Sequence, residues 1–271
     1  MSLRKPSLQR WIGPRDTIPP GQRGLFLYGY LREAWTYFQA SLCSKPPPKL
    51  RFLVVCQPRT GSQYLCDLLN SHPHVRCEQE LLGQPVWNSA RFLSGRSRIA
   101  GLPGYGLKVK PFQLRYVQNL KPREWLLARM AEGWKVIHLR RENLLRRMIS
   151  GMAARVHRRY HRFPGQEILR LKVAPAELLR SLPKRLERDQ FERLCLEGLD
   201  VYPLAYKDAL FDARSRDRKL ARLLEWLELP VLPLHSKMLP NTPAKLEHLV
   251  ENYSELKAAI QGTELEKYLE D

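Results

Sequence analysis

The chain contains no Cys-x-x-Cys, no His-Glu-x-x-His and no glycine followed by lysine. The first two absences remove the common dithiol-redox and zinc signatures. The third removes the G-x-x-x-x-G-K-[ST] loop on which ordinary kinases and ATPases hold a triphosphate. Cysteine is scarce and odd in number: Cys43, Cys56, Cys66, Cys77 and Cys195 make no evident paired framework. Cys56 and Cys66 read as small buried thiols in a reducing, cytoplasmic setting. No apolar run reaches the roughly 20 residues of a membrane span. The most apolar early segment, Leu25 to Leu42, is interrupted by Arg32 and Glu33 and contains Gly29. A compact apolar core directly after the first charges is also missing, so no signal peptide is expected. Acid is in short supply as well, with 27 Asp and Glu against 46 Lys and Arg, a formal charge of +19.

What is present fits one α/β domain. The 271 residues match the length of such a unit, and 44% hydrophobic content is enough for a packed core. Strand-like and helix-like segments alternate from Arg51 to Tyr206, the pattern of a largely parallel sheet covered on both faces. Residues 1–50 stand apart. Residues 1–24 carry Pro6, Pro14, Pro19, Pro20 and several cations, so an irregular lead is expected. The aromatic segment 25–42 follows, joined to the rest by Ser44-Lys-Pro-Pro-Pro-Lys49. It reads as a helix docked on the domain, with an interfacial membrane helix as the alternative. The domain proper is expected over 51–271.

The most informative stretch begins at Arg51. Phe52, Leu53, Val54 and Val55 read as a buried strand, and Leu65, Leu68 and Leu69 mark a helix. Between them lies Gln57-Pro58-Arg59-Thr60-Gly61-Ser62. Pro58 ends the strand, Gly61 allows a tight loop, and Thr60 or Ser62 is placed to cap the helix. Helix N–H groups and the helix dipole favour a phosphate there, and Arg59 adds a full charge. Three further segments follow. Ser71-His-Pro-His-Val-Arg-Cys-Glu-Gln-Glu80 is a turn and short strand ending in acids. Lys135 to Leu139 reads as another strand, followed by a helix starting at Glu142 or Asn143. Leu199 to Leu210 contains a late strand ending near Tyr206.

Pro58-Arg59-Thr60-Gly61-Ser62 resembles the 5′-phosphosulfate loop of sulfotransferases that use 3′-phosphoadenosine 5′-phosphosulfate (PAPS). The segment around Val75-Arg76-Cys77 is similar to the Golgi-type and bacterial carbohydrate-type enzymes, and to the tyrosylprotein enzymes. The resemblance runs over roughly residues 51 to 269 and includes the closing Asn252-Tyr-Ser-Glu-Leu256. It implies a P-loop-like three-layer fold and sulfuryl transfer to an acceptor hydroxyl without metal. It assigns the donor to Arg59, Thr60, Gly61, Ser62, Gln63 and Tyr64, with Tyr206 near the nucleotide. The catalytic glutamate falls on Glu80, with Glu78 its neighbour; otherwise both are solvated acids, one neutralising Arg76. His72 and His74 are the next bases. Arg141 and Ser150 match the pair that holds the 3′-phosphate. Their spacing is nine rather than the common eight, so Arg140 and Arg146 stay open for that role.

The acceptor is not named by any motif. A sugar or glycolipid hydroxyl comes first by resemblance, a tyrosyl peptide second, with pocket walls expected from residues 81–103 and 157–183. The positive charge exceeds what one donor needs, so an anionic acceptor or anionic membrane surface would use the remainder. Arg155, Arg158, Arg159 and Arg162 have helical spacing and would form one basic face. His157 and His161 share that segment, but the surrounding arginines argue against a metal. Two other functions compete: a P-loop-like kinase that binds nucleotide, and a basic protein that binds nucleic acid or an anionic surface without catalysis. The chain lacks the usual nucleic-acid motifs, which argues against the nucleic-acid version.

Overall fold

The structure is a computed structural model that describes residues 23–160, 162–239, 243 and 245–269, with the backbone alone at 23–26 and 213–214. Most of the expected irregular lead, with His161, Asn241 and Thr242, lies outside these residues. Five strands form one all-parallel sheet: β1 (Leu50–Cys56), β2 (Val75–Glu78), β3 (Gly104–Val109), β4 (Trp134–Arg140) and β5 (Tyr202–Ala205). Their order is β2-β3-β1-β4-β5. From β1 the chain first builds toward β3 and β2, then returns to add β4 and β5. The end of β1 is therefore a topological switch point, where α/β sheets bind ligands.

The apolar runs explain the layers. Alternate side chains of a strand face opposite sides of the sheet. Phe52, Val54 and Cys56 pack with Leu65, Leu68 and Leu69 of α2 (Ser62–Asn70) and Leu220, Leu223 and Leu224 of α8 (Ala213–Trp226). Leu53 and Val55 face the other way, onto α3 (Ser89–Ala100), α4 (Pro111–Tyr116) and α5 (Pro122–Ala131) through Phe92, Leu93, Leu114 and Leu126. The expected three-layer α/β architecture with a parallel sheet is the one observed. A third apolar cluster joins α6 (Leu144–Val156), α7 (Pro175–Leu196) and α9 (Tyr253–Ile260) through Leu145, Ile149, Leu178 and Leu256.

Helix α1 spans Arg23–Leu42 and so begins inside the stretch expected to be irregular. It packs on α3, where Gly95 lies close to Thr36 and Ala40. Glu33 is fully buried and accepts from the backbone N–H of Trp87 at 2.5 Å and of Asn88 at 2.9 Å. None of the described helices is long and apolar enough to cross a membrane.

The expected basic helical face does not form. Helix α6 ends at Val156, His157 is its C-cap, and Arg158 takes a left-handed φ of 48° that breaks the turn. Arg155, Arg158, Arg159 and Arg162 therefore share no helix. Part of the neighbouring charge is already used inside the fold: Arg147 pairs with Asp189 at 2.6 Å and Arg155 with Glu177 at 3.7 Å.

The tightest spot in the sheet is Gly106, where an added Cβ would lie 2.2 Å from the Phe52 ring. Overpacking of this kind costs about 1–3 kcal/mol. Gly106→Ala should lower the unfolding free energy by that amount, read as a lower urea midpoint at an unchanged m value; an unchanged midpoint would show that the Phe52 ring yields freely.

Candidate anion-binding site

The loop between β1 and α2 is shaped by backbone first. Arg59 and Gly61 both take left-handed conformations, φ 67° and 82°. For a side chain like arginine's such a φ is costly and signals an imposed geometry. Gly61 is required: besides its φ, a Cβ there would meet the Tyr206 ring at 2.6 Å. Gly61 is also the N-cap of α2, and no side chain caps the helix. The expectation that Thr60 or Ser62 does so is corrected. Thr60 is buried, and its hydroxyl donates to the Gln57 carbonyl at 2.9 Å, which tightens the loop from within. The first-turn N–H groups of α2 are thus left with the positive end of the dipole.

They border a cavity of about 310 Å³ at the carboxyl edge of the sheet. Pro58, Arg59, Gly61, Ser62, Gln63 and Tyr64 form its floor. Arg141, Ser150 and Tyr206 line it from the connection after β4, from α6 and from the turn after β5, Glu80 from just past β2, and Lys108 and Lys110 from the end of β3. Tyr160, Met238 and Leu239 complete the wall. The expected site residues Glu80, Arg59, Gly61, Ser62, Gln63, Tyr64, Arg141, Ser150 and Tyr206 therefore meet around one space; Thr60 supports it from behind.

Arg59 Nε donates to Ser150 Oγ at 3.1 Å, and Arg59 Nη1 to the Tyr160 carbonyl at 3.4 Å. Arg141 is buried with its guanidinium 4.4 Å from the centre of the Tyr206 ring, and its Nη1 donates to the Arg59 carbonyl at 3.4 Å. Burial pushes Arg141 down to about 10, which leaves it charged at neutral pH, and also lowers Arg59. Neither pairs with a carboxylate among the described residues. The cavity holds four cations, Arg59, Lys108, Lys110 and Arg141, and one carboxylate, Glu80. That surplus of three positive charges is what an anionic ligand would neutralise.

An adjoining cavity of about 170 Å³ shares Arg141 and Tyr206 and adds Glu142, Asn143, Arg146, Ala205, Lys207 and Phe211. Of the arginines considered for a second phosphate, Arg141 faces both cavities and Arg146 the second. Arg140 lines neither and pairs with Glu142 at 3.7 Å. The nine-residue spacing does not separate Arg141 from Ser150, because residues 141–143 form a connection before α6 begins at Leu144.

The two glutamates have separate fates. Glu78 is buried; it pairs with Arg96 and accepts from the Tyr105 hydroxyl at 2.6 Å, away from the cavity. Glu80 faces the cavity and is bound by Lys108 at 2.9 Å, Lys110 at 2.5 Å and Gln113 Nε2 at 2.7 Å. Neither pairs with Arg76; Glu78 is buried, and Glu80 is partly exposed but tied to two lysines. His72 Nδ1 accepts from the His74 N–H at 3.2 Å, so its Nε2 carries the proton and donates to the Pro230 carbonyl at 3.0 Å. His72 is thus a structural clamp, and both histidines precede β2, at the opposite end of that strand from Glu80.

Sequence reasoning missed Lys108, Lys110 and Gln113. The available signal was Lys108-Val-Lys110-Pro111, two cations two apart closing an otherwise apolar strand. Of the segments expected to wall an acceptor pocket, 157–183 contributes Tyr160 to the main cavity, and His157, Arg159, Arg162, Glu167, Ile168 and Leu169 to a small third cavity of about 30 Å³ that shares Arg59 and Ser150, whereas 81–103 lines none of the three. Among the described residues no group of His, Cys, Asp and Glu is arranged to hold a metal ion. No protein-family model matches the chain, and no curated protein matches it in sequence.

Partial burial opposes ionisation of Glu80, but Lys108 and Lys110 outweigh it and hold the carboxyl at about 2, below its ordinary 4.5. A depressed carboxylate adds stability that is fully present above about pH 4.5 and is lost as pH falls toward 2. Carbon-13 titration of Glu80 should give a midpoint near 2 and a clear rise in Lys108→Met. A midpoint near 4.5 in the native chain would mean that the lysines do not clamp it.

Proposed function

We propose that this protein transfers a sulfuryl group from PAPS to an acceptor hydroxyl, with a sugar or glycolipid as the first candidate and a tyrosyl peptide as the second. The observation that carries the reading is the buried, carboxylate-free Arg141 beside a loop with left-handed residues at a helix N-terminus, in a cavity with surplus positive charge. The loop N–H groups and Arg59 suit the 5′-phosphosulfate. Arg141, at the junction of the two cavities, suits a second phosphate on the same nucleotide. Arginine fits such a dianion because its fork binds two oxygens at once. All five cysteines are free, which agrees with a reducing compartment.

In this reading the acceptor oxygen attacks sulfur in line, the sulfur–oxygen bond to the 5′-phosphate breaks, and the hydroxyl proton passes to Glu80. Arg59 stabilises the charge that grows on the departing phosphate oxygen. Clamped by two lysines, Glu80 is ionised but a poor base, since proton transfer is most effective when the base is matched to the working pH. Lys108 and Lys110 line the same cavity as the anion loop, so donor oxygens would compete with Glu80 for them. Donor binding then draws the lysines off and strengthens the base when an acceptor can react.

A transfer assay with sulfur-labelled PAPS over glycans, lipids and acidic tyrosyl peptides tests the proposal. Arg59→Ala should lose donor binding and activity together. Glu80→Gln should bind donor and lose about 10²–10⁴-fold in rate, the usual contribution of a general base. Full turnover by either variant would refute the role given to that residue, and absence of labelled product from every acceptor would count against the activity.

A further inference from the structure

Helix α1 carries a second feature that the candidate site does not use. At about 100° per residue, Leu27, Leu31, Trp35, Phe38 and Leu42 fall within an arc of about 80°. All five are exposed, including Leu31 at 60%, Trp35 at 58% and Phe38 at 54%. The opposite side of the helix, with Gly29, Glu33 and Thr36, is buried against the domain. Glu33 pins it there through two backbone N–H groups, so the outward stripe is a fixed surface of the folded chain. Tyr30 stacks on Trp87 with ring centres 4.5 Å apart, and Trp87 is itself 68% exposed. Single exposed apolar residues need no explanation, but a contiguous row of this kind marks an interaction surface.

Charge says which surface. The stripe contains no charged residue, while cations flank it in sequence at both ends. Arg4, Lys5, Arg10, Arg15 and Arg23 precede it with Asp16 the one acid among them, and Lys45 and Lys49 follow. Apolar and aromatic residues between basic flanks match the interface of an anionic bilayer, where tryptophan and tyrosine are favoured and each lysine or arginine adds attraction. A second copy of the chain fits less well, because a formal charge of +19 opposes self-association.

We propose that the outer face of α1 seats this protein on an anionic membrane surface, peripherally, with Leu27, Leu31, Trp35, Phe38 and Leu42 entering the interface. The inference stands whether or not the chain transfers sulfuryl groups.

Co-sedimentation of the full chain with vesicles tests it. The protein should bind vesicles of mixed phosphatidylcholine and phosphatidylglycerol, bind phosphatidylcholine alone far more weakly, and release partly at high salt. Leu31→Asp with Phe38→Asp, both at exposed positions, should lower the partition coefficient by about tenfold or more per residue while thermal unfolding stays unchanged. Failure of the native chain to bind anionic vesicles would overturn the proposal. So would equal binding by the double variant, which would reduce the attraction to unspecific charge, or equal binding to neutral vesicles. Concentration-dependent dimers that the double variant abolishes, without vesicle binding, would assign the stripe to a second copy instead. A double variant that unfolds early is replaced by Trp35→Ser, read by the same partition and expected to weaken it; unchanged partition would again count against the proposal.

Discussion

Positive charge held at the carboxyl edge of the sheet without matching acid governs the candidate site and much of its surroundings. Arg141 is buried where a carboxylate partner would normally be found, and instead lies over the Tyr206 ring. Tyr206 in turn fills the space left by the missing side chain of Gly61. The loop backbone, the aromatic ring and the buried guanidinium thus form one packed unit. None of the three can change without disturbing the others. Buried charge is tolerated when something else supplies its counter-charge, and here an anionic ligand is the natural supplier.

The same logic explains Glu80. Among the described residues it is the one acid paired with Lys108 and Lys110, and it is held by both. It keeps two cations at the cavity wall with no ligand there, at the expense of its own basicity. A chain with two neutral residues in place of the lysines would have a stronger base and a weaker anion site. On the proposed function, anion binding and base strength are coupled through these shared partners.

How much of this was legible in the sequence depended on how local it was. The strand, loop and helix from Leu50 to Asn70 are contiguous, so apolar runs, Pro58 and Gly61 were enough to place them. The three-layer architecture followed from alternation alone. The spread of the site residues over β1, β2, β4, α6 and β5 was reached through resemblance, and one cavity gathers nearly all of them. The partners of Glu80 were not legible, because strand register, not chain order, brings β3 alongside β2. Helical spacing misled at Arg155 to Arg162: periodicity cannot report that Arg158 takes a left-handed turn. Capping misled as well, since Thr60 found a nearer carbonyl within its own loop. The exposed stripe on α1 was visible as apolar residues, but which side faced the domain was decided by Glu33, a charge that reads in sequence as a surface residue.

The central claim is that the site takes a nucleotide with phosphates at both ends of its ribose, and ligand-induced thermal stabilisation tests it most directly. Adenosine 3′,5′-bisphosphate should raise the melting temperature of the native chain well above the effect of adenosine 5′-monophosphate, and the difference should vanish in Arg141→Ala. Stabilisation by ATP with magnesium and none by the bisphosphate would contradict the account and point to a kinase-like protein. Response to neither nucleotide, with salt-sensitive binding to random DNA, would contradict it in favour of a basic binding protein.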